Sequence, residues 1–123
     1  MSFREDRRPP HQIIKAERRA YLETLPPSDS NWPVDVRILY GALRQRLFEE
    51  GVRVDEVRQR CGLGNHNISS RFKWHVGRAP KKYILYHRMA LAKQLLRYEQ
   101  LTVTQVAFGV GYGSPNAFSA TFK

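Results

Sequence analysis

Apolar positions along the chain fall mostly at helical spacing. Val36, Leu39, Tyr40, Leu43 and Leu47 are separated by 3, 1, 3 and 4 residues, which draws one stripe along a helix. Pro33 is expected as its first residue, where a missing N–H costs nothing, and Gly51 as its C-cap, so the helix should run to about Glu50. Val54, Val57 and Cys61 mark the inner side of a short helix, and Gly62-Leu63-Gly64 forms a turn. A second helix follows over Asn65–Val76, with Asn65 as cap, Ile68, Phe72 and Val76 inward, and Gly77 at its end. Pro80 opens a longer helix to about Tyr98, whose inner residues are Ile84, Leu91, Leu95 and Tyr98, with Ala92 and Leu96 beside them. Thr102 should cap the next helix, with Val103, Val106, Ala107 and Val110 inside. Gly111-Tyr112-Gly113 turns, Ser114 caps, Pro115 starts the last helix, and Phe118 and Phe122 face inward.

The pattern occurs twice. Val54, Val57, Cys61, Gly62, Leu63, Phe72 and Lys73 match Val103, Val106, Val110, Gly111, Tyr112, Phe122 and Lys123, with one extra residue between glycine and phenylalanine in the second copy. Two short helices around a glycine turn form a helix-turn-helix. The expected fold is therefore all-α, with two helix-turn-helix subdomains joined by a long linker helix. Residues 1–33 read as an N-terminal arm with room for a short helix over 13–25, broken by Pro26-Pro27-Ser28-Asp29-Ser30-Asn31. Residues 34–123 form the domain, with a first unit at 34–78, the linker at 79–99 and a second unit at 100–123. A linker of about 19 residues is about 28 Å long. That is close to the ~34 Å between successive major-groove faces of a duplex.

Charge adds a partner to this outline. Residues 1–56 balance ten Lys/Arg against ten Asp/Glu, whereas residues 57–123 hold eleven basic residues against Glu99 alone. Such asymmetry points to a polyanion, either nucleic acid or an anionic membrane, with a merely solvated basic surface as the bland reading. No run of about 18 apolar residues offers a transmembrane span. The charged N-terminus has no apolar stretch of the secretory kind. The single Cys61 fits a reducing compartment and is expected as a small buried apolar residue. His11, His66, His75 and His87 show no metal-ligand spacing, and no phosphate-cradling glycine loop or catalytic constellation appears. The expectation is a non-enzymatic protein without cofactor or metal, in the cytoplasm.

Phe72-Lys73, Gly77, Pro80, Tyr83, Arg88, Ala92, Leu95-Leu96, Val106-Ala107, Gly111-Tyr112, Ser114, Phe118-Ser119 and Phe122-Lys123 stand at fixed spacing across residues 34–123. In these residues the chain resembles the DNA-binding domain of the AraC/XylS family of bacterial transcription regulators. The resemblance implies seven helices, double-stranded DNA as partner, transcription regulation, with activation, and contact with RNA polymerase. Three departures stand out. Family members usually continue past the final Phe-Lys with Gly, Pro and a short helix, whereas this sequence stops at Lys123. Ala120 and Ser70 occupy positions where the family often has arginine. Only about 33 residues precede the match, so the expectation is either a small stand-alone activator or a fragment of a longer regulator.

The N-terminal half of a recognition helix enters the major groove. His66, Asn67, Ser69 and Ser70 are therefore the expected base contacts of the first unit, and Asn116, Ala117 and Ser119 those of the second. Arg71, Lys73, Arg78, Lys81, Lys82, Lys93 and Lys123 are the phosphate candidates, and about half of them should act so. Arg88, beside the linker's apolar face, is expected to make a structural salt bridge or a carbonyl contact. Trp74 is expected to pack on the first helix or the linker, with stacking on single-stranded bases as the alternative. The resulting reading is a monomer with two recognition helices in successive major grooves. Its competitors are a protein-interaction module and a non-specific nucleic-acid binder.

Overall fold

A computed structural model describes residues 7–122 of the chain, and of Phe122 the backbone alone. Among the described residues there are seven helices and no strand. They are α1 (Pro10–Thr24), α2 (Val34–Gln45), α3 (Val54–Arg60), α4 (Ile68–Val76), α5 (Pro80–Leu95), α6 (Val103–Gly109) and α7 (Pro115–Phe122). They gather into two compact units. One comprises Pro26–Leu47 and Val52–Tyr86; the other comprises the residues up to Leu25, Phe48–Gly51 and the residues from His87 onward. Helix α5 contributes to both.

In the unit built from α2, α3 and α4, the stripe on α2 does what its spacing predicts. Val36, Leu39, Tyr40, Leu43 and the following Leu47 are all buried, together with Val57 of α3 and Ile68 and Phe72 of α4. Helix α2 packs on both α3 and α4. Four rings extend this core as a chain of edge-on and tilted contacts: Trp32 to Tyr40 at 5.2 Å, Tyr40 to Tyr83 at 5.7 Å and Tyr83 to Phe72 at 5.8 Å. Each such pair adds about 0.5–1.5 kcal/mol beyond area burial. The Tyr40 hydroxyl donates to the Pro26 carbonyl at 2.5 Å and ties the proline break to α2. Two boundaries differ from expectation. Pro33 is the N-cap rather than the first helical residue, and α2 ends at Gln45 with Arg46 leaving helical backbone. Leu47 and Phe48 are both buried, and a turn there lets adjacent side chains serve two units.

The other unit corrects the reading of the N-terminus. Pro10 occupies the first turn of α1, as the missing proline N–H favours. The helix buries Ile13, Ile14 and Tyr21, and Leu25 after it. Helix α1 packs on α6, where a Cβ on Gly109 would come within 2.9 Å of Ile14 Cγ2. Thus the segment expected as an arm carries core residues. Its apolar positions are sparse and separated by charges, so periodicity alone understated it. Tyr98 Oη donates to Glu17 Oε1 at 2.6 Å, and Tyr21 meets the Phe48 ring edge-on at 5.8 Å. Leu91, Ala92, Leu95, Val106, Ala107, Val110 and Phe118 complete the core.

Helix α5 ends at Leu95, three residues before the expected Tyr98, because i→i+3 bonds from Arg97 to Gln94 and from Tyr98 to Leu95 tighten its end. Val103, expected inside, is half exposed. It stands at the first position of α6, before the buried face of Val106, Ala107 and Val110.

Candidate nucleic-acid interface

The two glycine turns are built alike. After α3, the Gly62 N–H bonds the Gln59 carbonyl at 2.9 Å and the Leu63 N–H bonds the Arg58 carbonyl at 3.1 Å. After α6, the Gly111 N–H bonds the Phe108 carbonyl at 3.1 Å and the Tyr112 N–H bonds the Ala107 carbonyl at 3.0 Å. Both are Schellman caps, with the glycine in the left-handed region at φ 71° and 105°. The repeat read from spacing is therefore a repeat of hydrogen-bonded turns. An arginine completes each turn, but from a different place. Arg58 Nη1 donates to the Leu63 carbonyl at 2.8 Å. In the second turn Arg88 reaches from α5, donating from Nη1 to Gly111 O at 2.9 Å and from Nη2 to Glu49 O at 2.6 Å. Arg88 is almost wholly buried, and that burial pushes its pKa down from the usual arginine value. A carbonyl role for it is among the expected ones.

Helix α4 begins later than its sequence suggests. Asn67, not Asn65, is the N-cap, and it lies in the left-handed region at φ 51° without a side-chain cap bond. His66 and Asn67 therefore stand in the turn before the helix, while Ser69 and Ser70 are on it; all four are exposed. Gly64 leaves room for the His66 ring, since a Cβ there would sit 3.1 Å from His66 Cδ2. Arg71, expected on phosphate, is otherwise engaged. Its Nη1 and Nη2 grip the Asp35 carboxylate at 2.8 and 2.5 Å, and Nε and Nη2 also donate to the His66 carbonyl at 3.2 and 2.9 Å. The hydrogen bonds from Arg71 hold the Asp35 carboxyl below its ordinary pKa, against the opposing effect of burial, and Asp35 raises that of Arg71. Asp35 lies 36 residues away in the first turn of α2, and no sequence signal marked the pair.

Lys73, Arg78, Lys81, Lys82 and Lys93 are exposed, and the Arg78 guanidinium stacks 3.5 Å from the Tyr86 ring centroid. Trp74, expected to pack inward, is 83% exposed. Cys61, expected as a buried residue, is the C-cap of α3 and only half-buried. In the other unit, Ser114 Oγ accepts the Ala117 N–H at 3.1 Å and caps α7 as expected. Asn116, Ala117, Ser119 and Ala120 are exposed, while Phe118 is buried edge-on to Tyr112 at 5.7 Å. The expectations for Lys123 and for the Phe122 side chain lie outside the described residues. His87 Nδ1 and Tyr21 Oη share a hydrogen bond at 2.6 Å. Among the described residues no group of His, Cys, Asp and Glu could hold a metal ion, and no helix is long and apolar enough to cross a membrane.

Two short helices around a capped glycine turn, built twice, define a helix-turn-helix protein. Residues 57–123 match the helix-turn-helix domain family. The chain is 37% identical over 70 residues to the HTH-type transcriptional regulator AlkR of Acinetobacter baylyi, covering 57% of this chain and 23% of that protein. It is 32% identical over 76 residues to the HTH-type transcriptional activators RhaS of Escherichia fergusonii and Salmonella arizonae, covering 62% of this chain and 27% of each of them. The chain thus spans about a quarter of the length of the curated relatives it matches. No solved structure matches it. With residues 57–123 matched and these relatives aligned, the chain belongs to the AraC/XylS family.

Proposed function

We propose that the chain is a DNA-binding transcription regulator that reads duplex DNA with α4 and α7, one in each of two successive major grooves, and acts as a monomer. One observation carries this reading. Each unit presents, after a Schellman-capped turn, a helix whose apolar face is buried and whose first turns point small side chains outward, Ser69 and Ser70 on α4 and Asn116, Ala117 and Ser119 on α7. Small side chains allow close approach to base edges, and serine, asparagine and histidine supply donors and acceptors there. His66, Asn67, Ser69 and Ser70 read bases in the first half-site, and Asn116, Ala117 and Ser119 in the second. Lys73, Arg78, Lys81, Lys82 and Lys93 supply phosphate contacts, while Arg71 fixes the turn that presents His66. The excess of basic over acidic residues after Val57 gives the polyanion its counter-charge.

Activation through contact with RNA polymerase is the regulatory mode we favour, since two of the relatives above are named activators. The test is selection of binding sites from a random duplex pool. Two short conserved blocks about 10–10.5 bp apart are expected. Enrichment of a single block would remove the second head from the reading. No enrichment at all, with equal affinity for every duplex, would leave only a non-specific binder.

A further inference from the structure

Trp74 is the most exposed large apolar side chain among the described residues. It lies four residues after Ser70, so at 3.6 residues per turn both point away from the buried Ile68 and Phe72. It stands about 6 Å further along the helix axis than Ser70. Lys73 beside it is also exposed, and residues 57–86 hold seven Lys/Arg and no Asp/Glu. An indole and a cation thus project together from the face that also carries the two serines. Water is a poor environment for an indole, and its flat apolar edge suits deoxyribose and the thymine methyl group.

We propose that Trp74 is part of the duplex interface, packing its indole on sugar and thymine methyl at the wall of the groove that α4 enters. This inference rests on the reading of α4 as a recognition helix. It gives the first half-site an apolar contact one helical turn beyond Ser70, and a preference for thymine at the base pair it touches.

The chain has two tryptophans. Trp32→Phe leaves Trp74 as the sole indole and keeps an aromatic ring against Tyr40. With this variant, anisotropy of a labelled duplex selected from a random pool reports binding, and acrylamide quenching of Trp74 reports its burial. Protection of Trp74 at saturation is the expected result. Trp74→Ala, with far-UV circular dichroism and thermal unfolding as fold controls, should lower affinity roughly tenfold. It should leave the salt slope of binding unaltered, because no charge is removed. Binding with Trp74 as open to acrylamide as in the free protein overturns this proposal alone. Failure of the folded protein to bind any duplex overturns it together with the reading beneath it. Protection by single-stranded but not duplex DNA replaces groove contact by base stacking and also overturns it.

Discussion

Arg71 and Arg88 lie in the most basic part of the chain, yet each spends its guanidinium on the protein itself. Arg88 satisfies two backbone carbonyls inside one unit. Arg88→Met would remove the donor from the buried Gly111 carbonyl and from the part-buried Glu49 carbonyl and should cost about 2–4 kcal/mol in urea unfolding. Arg88→Lys should not restore the loss, since a point charge cannot reproduce the planar fork. Arg71 joins Asp35 to the carbonyl of a proposed base reader, which makes it a positioning residue. The pH sign follows from the lowered Asp35 pKa. The pair is fully formed above the unfolded value of about 3.9 and is lost only as pH falls through the lower folded value. An NMR titration should place the Asp35 midpoint below that value, and Asp35→Asn should shift the His66 and Asn67 amides at every pH. A midpoint at or above the ordinary value would remove the clamp from the mechanism.

At the scale of elements, the two glycine turns share their hydrogen bonds but not their surroundings. Gly62 has open space where a Cβ would stand, whereas a Cβ on Gly111 would meet Arg88 Cζ at 2.7 Å and the Phe48 carbonyl at 2.9 Å. Gly62→Ala should therefore cost only the left-handed backbone penalty of about 1–2 kcal/mol. Gly111→Ala adds overpacking of about 1–3 kcal/mol and should be clearly the worse of the two in urea unfolding. Equal losses would mean that Arg88 moves aside without cost. Ile13 is fully buried, so Ile13→Ala should cost about 2–5 kcal/mol, where an arm residue would cost almost nothing.

For the whole molecule, the proposed DNA reading predicts a division of labour that salt can separate. Affinity for selected and scrambled duplexes should fall linearly on logarithmic axes as salt rises. Alanine at Lys73, Lys81 or Lys82 should reduce the slope by about 0.9 for each phosphate contact removed, and should weaken both duplexes alike. Alanine at His66 or Ser69 should instead relax preference at single base pairs, at about 1–3 kcal/mol each, and leave the slope unaltered. Slopes that ignore all three lysines would place the phosphates elsewhere on the surface.

Much of this protein was legible along the chain because its information is local. The 3- and 4-residue spacing of Val36 to Leu47 becomes one buried stripe, and the matched positions around Gly62 and Gly111 become the same capped turn, since a helix face and its termination depend on residues a few positions apart. Thr102 and Ser114 cap where their sequence says, for the same reason. Tertiary structure decided what depends on distant partners. It drew the Ile13 helix into a core, set Asp35 on Arg71 across 36 positions, and turned Trp74 outward where its neighbours suggested packing. A residue's type and spacing state which face it can occupy. Only the folded chain decides which distant group, or none, meets that face.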